Sequence, residues 1–304
     1  MRKIGFALTA LTLAAGSAFA ADFPSRESPP PAYNPPPPVW TGFHVGMNAG
    51  GTWNNSQNVS IASAPLFQGG AFGPAPWSAA AALGATGMLG ASGNGGFIGG
   101  GQIGYTWQLQ RNIVAGVEAD IQGIASGVGG GSLITTVPVM LPAAPLPSAN
   151  TVMSASRSLD YLGTVRGRIG YLFSPTLLLY GTGGLAYGGV SLNVTGLQSF
   201  TLGTPGFITT GFGGSSFSDT RVGWSAGGGL EWMFWPNWSA KAEYLYYDLG
   251  SVRTNAGLTT TVLATGALVW ANGTQAQARF DGHVVRAGVN YHFNWGVDPT
   301  VASY

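Results

Sequence analysis

Charge is scarce in this chain, and most of it falls at spacings that invite chemistry. Glu118 and Asp120 are two residues apart, as are Arg166 and Arg168, and Lys241 and Glu243; Glu231 and Arg286 complete a set of eight. Charges of both signs at such spacing can neutralise one another or line a path for ions. A spacing of two also puts both members on the same face of a β-strand. Counted from the nearest tight turns, all eight fall at about the same height, and their signs balance four to four. An unpaired buried charge is costly, so such a layer is expected to neutralise itself and fill the interior it faces. The rival reading is an ion-conducting or gated path lined by the same residues.

The remaining candidates are thinner. His44 and His292 are expected to face each other near one mouth, while His283 lies toward the opposite end. Two imidazoles without further ligands in register make neither a zinc set nor a catalytic triad. Gly99, Gly101 and Gly104 fit a dinucleotide fingerprint on paper, but the run lies inside a strand pattern with no helix after it. No catalytic residue, metal site or cofactor is expected.

Eight segments with a period of two must position these groups. They are Trp40–Trp53, Gly96–Leu109, Asn112–Ile124, Leu159–Phe173, Leu177–Val190, Asp219–Phe234, Trp238–Asp248 and Phe280–Phe293. In the first, Phe43, Val45, Met47 and Ala49 oppose His44, Gly46, Asn48 and Gly50; in the last, Val285, Ala287, Val289 and Tyr291 oppose Arg286, Asn290 and His292. Such alternation is that of strands with one apolar face. Tight turns at Gln110-Arg111, Ser174-Pro175 and Pro236-Asn237 alternate strictly with long connections over 54–95, 125–158, 191–218 and 249–279. Short turns at one end and long loops at the other mark a transmembrane barrel with both termini on the periplasmic side. Trp40, Trp107, Tyr171, Phe173, Trp232, Trp235, Trp238, Phe293 and Trp295 collect near the short-turn ends, where an interfacial girdle is expected.

Composition excludes much else. Only 8% of residues are charged, against roughly 25% in soluble domains. Mean hydropathy is only +0.20 and Gly reaches 50 residues, as expected where lipid-facing apolar groups alternate with small or polar ones. There is no cysteine, hence no disulfide and no lipid-acceptor thiol. Arg2 and Lys3, an apolar stretch from Ile4 to Ala15 and Ala18-Phe19-Ala20 read as a signal peptide over 1–20. Its removal would take the formal charge from +1 to −1, which argues against nucleic acid as a partner. Residues 21–39, with Pro29 to Pro31 and Pro35 to Pro38, read as an extended periplasmic linker. The barrel is expected over 40–295 and a tail over 296–304.

Several runs carry a resemblance. They are Trp40-Thr41-Gly42-Phe43, Val117-Glu118-Ala119-Asp120-Ile121-Gln122-Gly123, Gly163-Thr164-Val165-Arg166-Gly167-Arg168-Ile169-Gly170-Tyr171, Trp238-Ser239-Ala240-Lys241-Ala242-Glu243-Tyr244 and Val285-Arg286-Ala287-Gly288-Val289-Asn290-Tyr291-His292-Phe293. Together they resemble the porin-family outer-membrane β-barrel proteins of alphaproteobacteria, small surface barrels related to the OmpA membrane domain and the opacity proteins. The resemblance covers all eight segments and not the long loops. It implies an all-β, eight-stranded antiparallel up-and-down barrel in the outer membrane that supports envelope integrity and displays surface loops. A narrow diffusion channel and an adhesin or host-contact protein are the alternatives. Expected partners are outer-membrane lipid and lipopolysaccharide, with barrel-assembly machinery during insertion.

Overall fold

Alternation of apolar and polar residues builds strands wherever one face meets lipid and the other a crowded interior. The computed structural model describes residues 40–68, 76–91, 95–125, 129–139, 148–201, 208–261 and 268–293. The expected signal segment, the proline linker, Trp295 and the tail lie outside them. In chain order the elements are β1 (Gly42–Asn54), β2 (Asn58–Gln68), α1 (Pro76–Gly84), β3 (Gly87–Gly90), β4 (Gly96–Gln108), β5 (Ile113–Ala125), β6 (Gly129–Pro138), β7 (Ser148–Ser174), β8 (Leu177–Thr201), β9 (Ile208–Trp235), β10 (Trp238–Thr261) and β11 (Leu268–Phe293).

Eight of these close a ring in the order β1-β4-β5-β7-β8-β9-β10-β11, with β11 returning to β1. Every ladder is antiparallel, and His44 lies opposite His292 where the ring closes. The eight expected segments supply the wall of this ring. Phe43, Met47, Ile103, Val117, Val165, Leu185, Val222 and Val289 are exposed on its outside, while the alternate residues are buried.

The expected long loops need correction. β7 to β11 run on well past the ring, and β2, β3 and β6 lie wholly in segments expected to be loops. β2 takes the place of β1 beside β11, β3 pairs with β2, and β6 pairs with β7. An upper storey thus forms in the order β3-β2-β11-β10-β9-β8-β7-β6, and among the described residues no ladder joins β3 to β6. The two still approach closely: a Cβ on Gly131 would clash with the Gly90 carbonyl, and beside them the Thr135 hydroxyl of β6 donates to Gly84 O at the end of α1 at 2.6 Å. Helix α1 packs Trp77, Ala80 and Ala81 against Val139, Ala149 and Phe200.

Polarity inverts between the storeys. On β8 the apolar Leu179, Leu185 and Tyr187 face outward, but Val190, Leu192, Val194 and Phe200 face inward. Outside the lower ring is lipid; outside the upper storey is water, so apolar groups change sides to stay out of water. Two strands also shift register there, between Leu159 and Tyr161 on β7 and between Asp248 and Ser251 on β10. Each irregularity exchanges odd for even numbers on the inner face, as Tyr247 and Leu249 give way to Val252, Leu258 and their neighbours. Gly250 sits in the second with φ +78°, a left-handed conformation that suits glycine, and its N–H donates to Asp248 Oδ1 at 2.8 Å.

Candidate functional site: the filled lumen

Strand register brings the charged side chains together. Glu118 on β5 lies opposite Arg166 on β7, Glu243 on β10 opposite Arg286 on β11, and Lys241 opposite Glu231 on β9. All eight point into the ring and are at most 5% exposed. Arg166 is the hub. Its Nη2 donates to Glu118 Oε1 and Asp120 Oδ2 at 2.9 Å each, its Nη1 to Glu243 Oε1 at 2.8 Å, and its Nε to Thr164 Oγ1 at 2.8 Å. Arg286 donates to Glu243 Oε2 from Nε at 2.8 Å and to Asp120 Oδ2 from Nη2 at 2.9 Å. Lys241 Nζ donates to Glu118 Oε1 at 2.7 Å.

Glu231 stands slightly apart, toward the periplasmic mouth. It accepts from Arg168 Nη1 at 2.8 Å, Ser239 Oγ at 2.6 Å and Asn290 Nδ2 at 2.8 Å. Lys241 faces it in register, yet the ammonium turns to Glu118. The guanidinium of Arg168 also lies 5.3 Å from the centre of the Tyr180 ring, a cation–π distance. His44 and His292 face each other with ring centres 5.4 Å apart. Each also reaches a carboxylate, Glu118 at 3.5 Å and Glu231 at 3.4 Å. A Cβ on Gly104 would meet the His44 ring at 2.5 Å, so glycine there makes the room.

Apolar side chains close the lumen on both sides of this layer, and these were not singled out in the sequence. Toward the periplasm, Trp40, Val114, Leu172, Leu178, Tyr180 and Met233 form a buried cluster. Trp40 is fully buried, with its indole N–H donating to Pro175 O at 2.9 Å and its ring edge-on to His292. It was expected in the outward girdle and is instead a stopper in the lumen. Above the charges lie Ile98, Leu162, Ala186, Leu245, Tyr247 and Val284, continuous with the core of the upper storey. The signal was available: Leu162, Leu245 and Val284 each stand two residues from an inward polar or charged side chain and share its parity.

A second set of charges lies near the top of the ring. Sequence neighbours of opposite sign stand there, Arg157 with Asp160, Asp219 with Arg221, Asp248 with Arg253 and Arg279 with Asp281, and none of these four pairs is the ion pair formed. Instead Arg279 pairs with Asp248 at 2.5 Å. Arg157 donates to Ser56 O and lies over Phe280, and Arg253 donates to Gln277 at 3.2 Å. Asp281 accepts from Asn55 Nδ2 at 2.9 Å, Ser56 N at 3.2 Å and the Tyr246 hydroxyl at 3.2 Å. Burial pushes its carboxyl up, but these donors outweigh it and hold the group below the usual aspartate range. A second aromatic belt, which the sequence reading did not place, lies just beneath. Trp53 stacks on His283, Tyr246 packs on both His283 and Trp224, and Tyr244 hydrogen-bonds to His283 Nδ1 at 2.7 Å.

Among the described residues no group of three or more His, Asp or Glu could hold a metal, and the glycine run lies within β4 with no helix following it. A closed antiparallel ring with an apolar outside, aromatic belts at two heights and a polar layer inside defines a transmembrane β-barrel of the outer-membrane class. The family described as "Outer membrane protein beta-barrel domain" matches residues 6–293, and the chain belongs to it. It is similar to the 31 kDa outer-membrane immunogenic protein of Brucella melitensis biotype 1, at 33% identity over 92% of this chain and 95% of that one. The 22 kDa outer membrane protein of Rhizobium leguminosarum bv. viciae is 30% identical over 50% of this chain and 53% of its own. Among solved structures, Neisserial surface protein A aligns over 83% of this chain and 98% of its own, with 11% identity and a TM-score of 0.26. The protein is thus an outer-membrane β-barrel.

Proposed function

We propose that this barrel is a closed structural scaffold which supports the envelope and holds a folded extracellular head above it. The observation that carries this reading is the stacking of three filled layers in the lumen: apolar at the periplasmic mouth, charged at mid-height, apolar again above. An eight-stranded barrel has an interior that side chains can just fill. Here the charged layer neutralises itself, so it offers no single-sign path for an ion. The lumen network of Glu118, Asp120, Arg166, Arg168, Glu231, Lys241, Glu243 and Arg286 acts as the plug. We read no enzymatic role into it: every carboxylate is already engaged by a cation. Lipid and lipopolysaccharide are the surroundings of the apolar belt, and barrel-assembly machinery is the partner during insertion. That the Brucella relative is described as immunogenic fits a head displayed at the cell surface.

Purified, refolded protein in a planar bilayer tests the plug. The expected record is flat, with conductance appearing only when several network side chains are cut to Ala. A large, steady conductance in the unmodified protein would overturn the scaffold reading in favour of a channel.

A further inference from the structure

Where β1 ends and β2 begins, the chain steps sideways and leaves a recess of about 510 Å³ on the outer wall beside β11 and β10. Ser56, Gln57, Asn58, Ser60, Gln277 and Arg279 are among its lining residues. This lining is polar, unlike the lipid-facing outside of the lower ring. Immediately below it on the same strands the wall is aromatic: Trp53 opposes His283 on β11, and Tyr244 and Tyr246 flank that imidazole.

Height says what lies beside it. Arg279 is fourteen residues up β11 from Phe293. A strand rising about 3.3 Å per residue and tilted by about 45° gains roughly 2.3 Å of height per residue, which puts Arg279 roughly 30 Å above the periplasmic end, against an apolar band about 25 Å tall. The recess therefore faces the headgroups of the outer leaflet, and the aromatic shelf faces the boundary where headgroup meets acyl chain. Its donors fit a particular headgroup. Amides and hydroxyls match the hydroxyls of a sugar, and a guanidinium matches a phosphate. Arg279 remains 53% exposed although Asp248 orients it.

We propose that this recess binds the phosphorylated sugar headgroup of one outer-leaflet glycolipid, with Arg279 on the phosphate and Asn58 and Gln277 on the sugar. The shelf of Trp53, His283, Tyr244 and Tyr246 packs beneath the headgroup. The site lies on the outer wall and does not depend on whether the lumen is closed.

The test uses the full chain refolded into phosphatidylcholine vesicles containing diphosphoryl lipid A, extracted gently and read by native mass spectrometry. The expected result is one lipid A retained on the unmodified barrel, and a retained fraction lower by about fivefold or more in Arg279→Ala, the order of one lost charge-assisted hydrogen bond. The double variant Asn58→Ala with Gln277→Ala leaves the Arg279–Asp248 pair intact and should show a similar loss, so the question is answered even if Arg279→Ala folds poorly. Arg111→Ala, in the turn between β4 and β5 at the far end of the barrel, should retain lipid A as the unmodified barrel does. Undiminished retention in the double variant, or equal capture of phosphatidylglycerol by the unmodified barrel, would overturn the proposal.

Discussion

Replacing Arg166 with Met should expose the energetics of the lumen more sharply than any other single change. The guanidinium touches three carboxylates at 2.8 to 2.9 Å and the Thr164 hydroxyl at 2.8 Å, and the side chain is 1% exposed. Methionine keeps much of the volume and removes the charge. Three cations then face four carboxylates. A charge-assisted hydrogen bond contributes about 1.5–3 kcal/mol net, but the four bonds share partners and do not add. Removing one member of a buried ion network costs about 3–5 kcal/mol, because the partners left behind stay desolvated. We expect a loss in that range, read by urea unfolding of barrel refolded into vesicles and followed by tryptophan fluorescence and gel heat-modifiability. Adding Glu243→Gln returns the layer to three against three. The double variant should recover about 1–3 kcal/mol relative to the sum of the single losses. A loss under about 1 kcal/mol for Arg166→Met, or strict additivity with Glu243→Gln, would refute the claim that the layer is a mutually dependent network.

Two further outcomes separate details of the same architecture. In double-mutant cycles, Glu231 should couple to Arg168, its partner at 2.8 Å, more strongly than to Lys241, which faces it in register but bonds to Glu118; the reverse order would refute this assignment of partners. Asp281, above the aromatic belt, should make stability depend on acid. Its folded-state carboxyl is held below the usual aspartate range, so its contribution is present above the unfolded-state value and is lost as pH falls through the lower, folded-state one. Unfolding curves of Asp281→Asn should lack that part of the acid dependence, and an unchanged pH profile would argue against the Asn55, Ser56 and Tyr246 bonds as its cause.

How far the sequence led depends on contrast between neighbouring side chains. In the lower ring, Val117 against Glu118 or Val285 against Arg286 alternate so strongly that each strand and its facing are legible. The charged layer follows from the same parity plus distance from the turns. What parity cannot give is which cation a carboxylate takes: Lys241 stands opposite Glu231 in register, yet Glu231 is occupied by Ser239, Asn290 and Arg168 and the ammonium bonds to Glu118 across the lumen. The upper storey was missed because its contrast is weak. Ala149, Thr151, Met153 and Ala155 face inward, while Asn150, Val152, Ser154 and Ser156 alternate with them, and small residues on both faces resemble a loop. The register shift near Asp160 then breaks the count just where the polarity inverts. Trp40 was misplaced for a related reason: an aromatic next to a membrane surface usually points out, and only the bond to Pro175 O and the neighbouring His292 show that it turns in.

Because β7 to β11 run unbroken from the membrane into the head, the surface they offer to the outside is a strand face and not a flexible peptide. Along Val190, Leu192, Val194 and Phe200 every second side chain is turned inward. An antibody approaching the intact cell meets Ser191, Asn193, Thr195 and Ser199 together with their neighbours across the ladder, Ser216 and Ser218 on β9 among them. Those groups are adjacent in space and distant in the chain. A synthetic peptide spanning 189–200 would display the hidden half alongside the visible half and none of the neighbouring strand, so serum raised against it would recognise denatured protein far better than the native head.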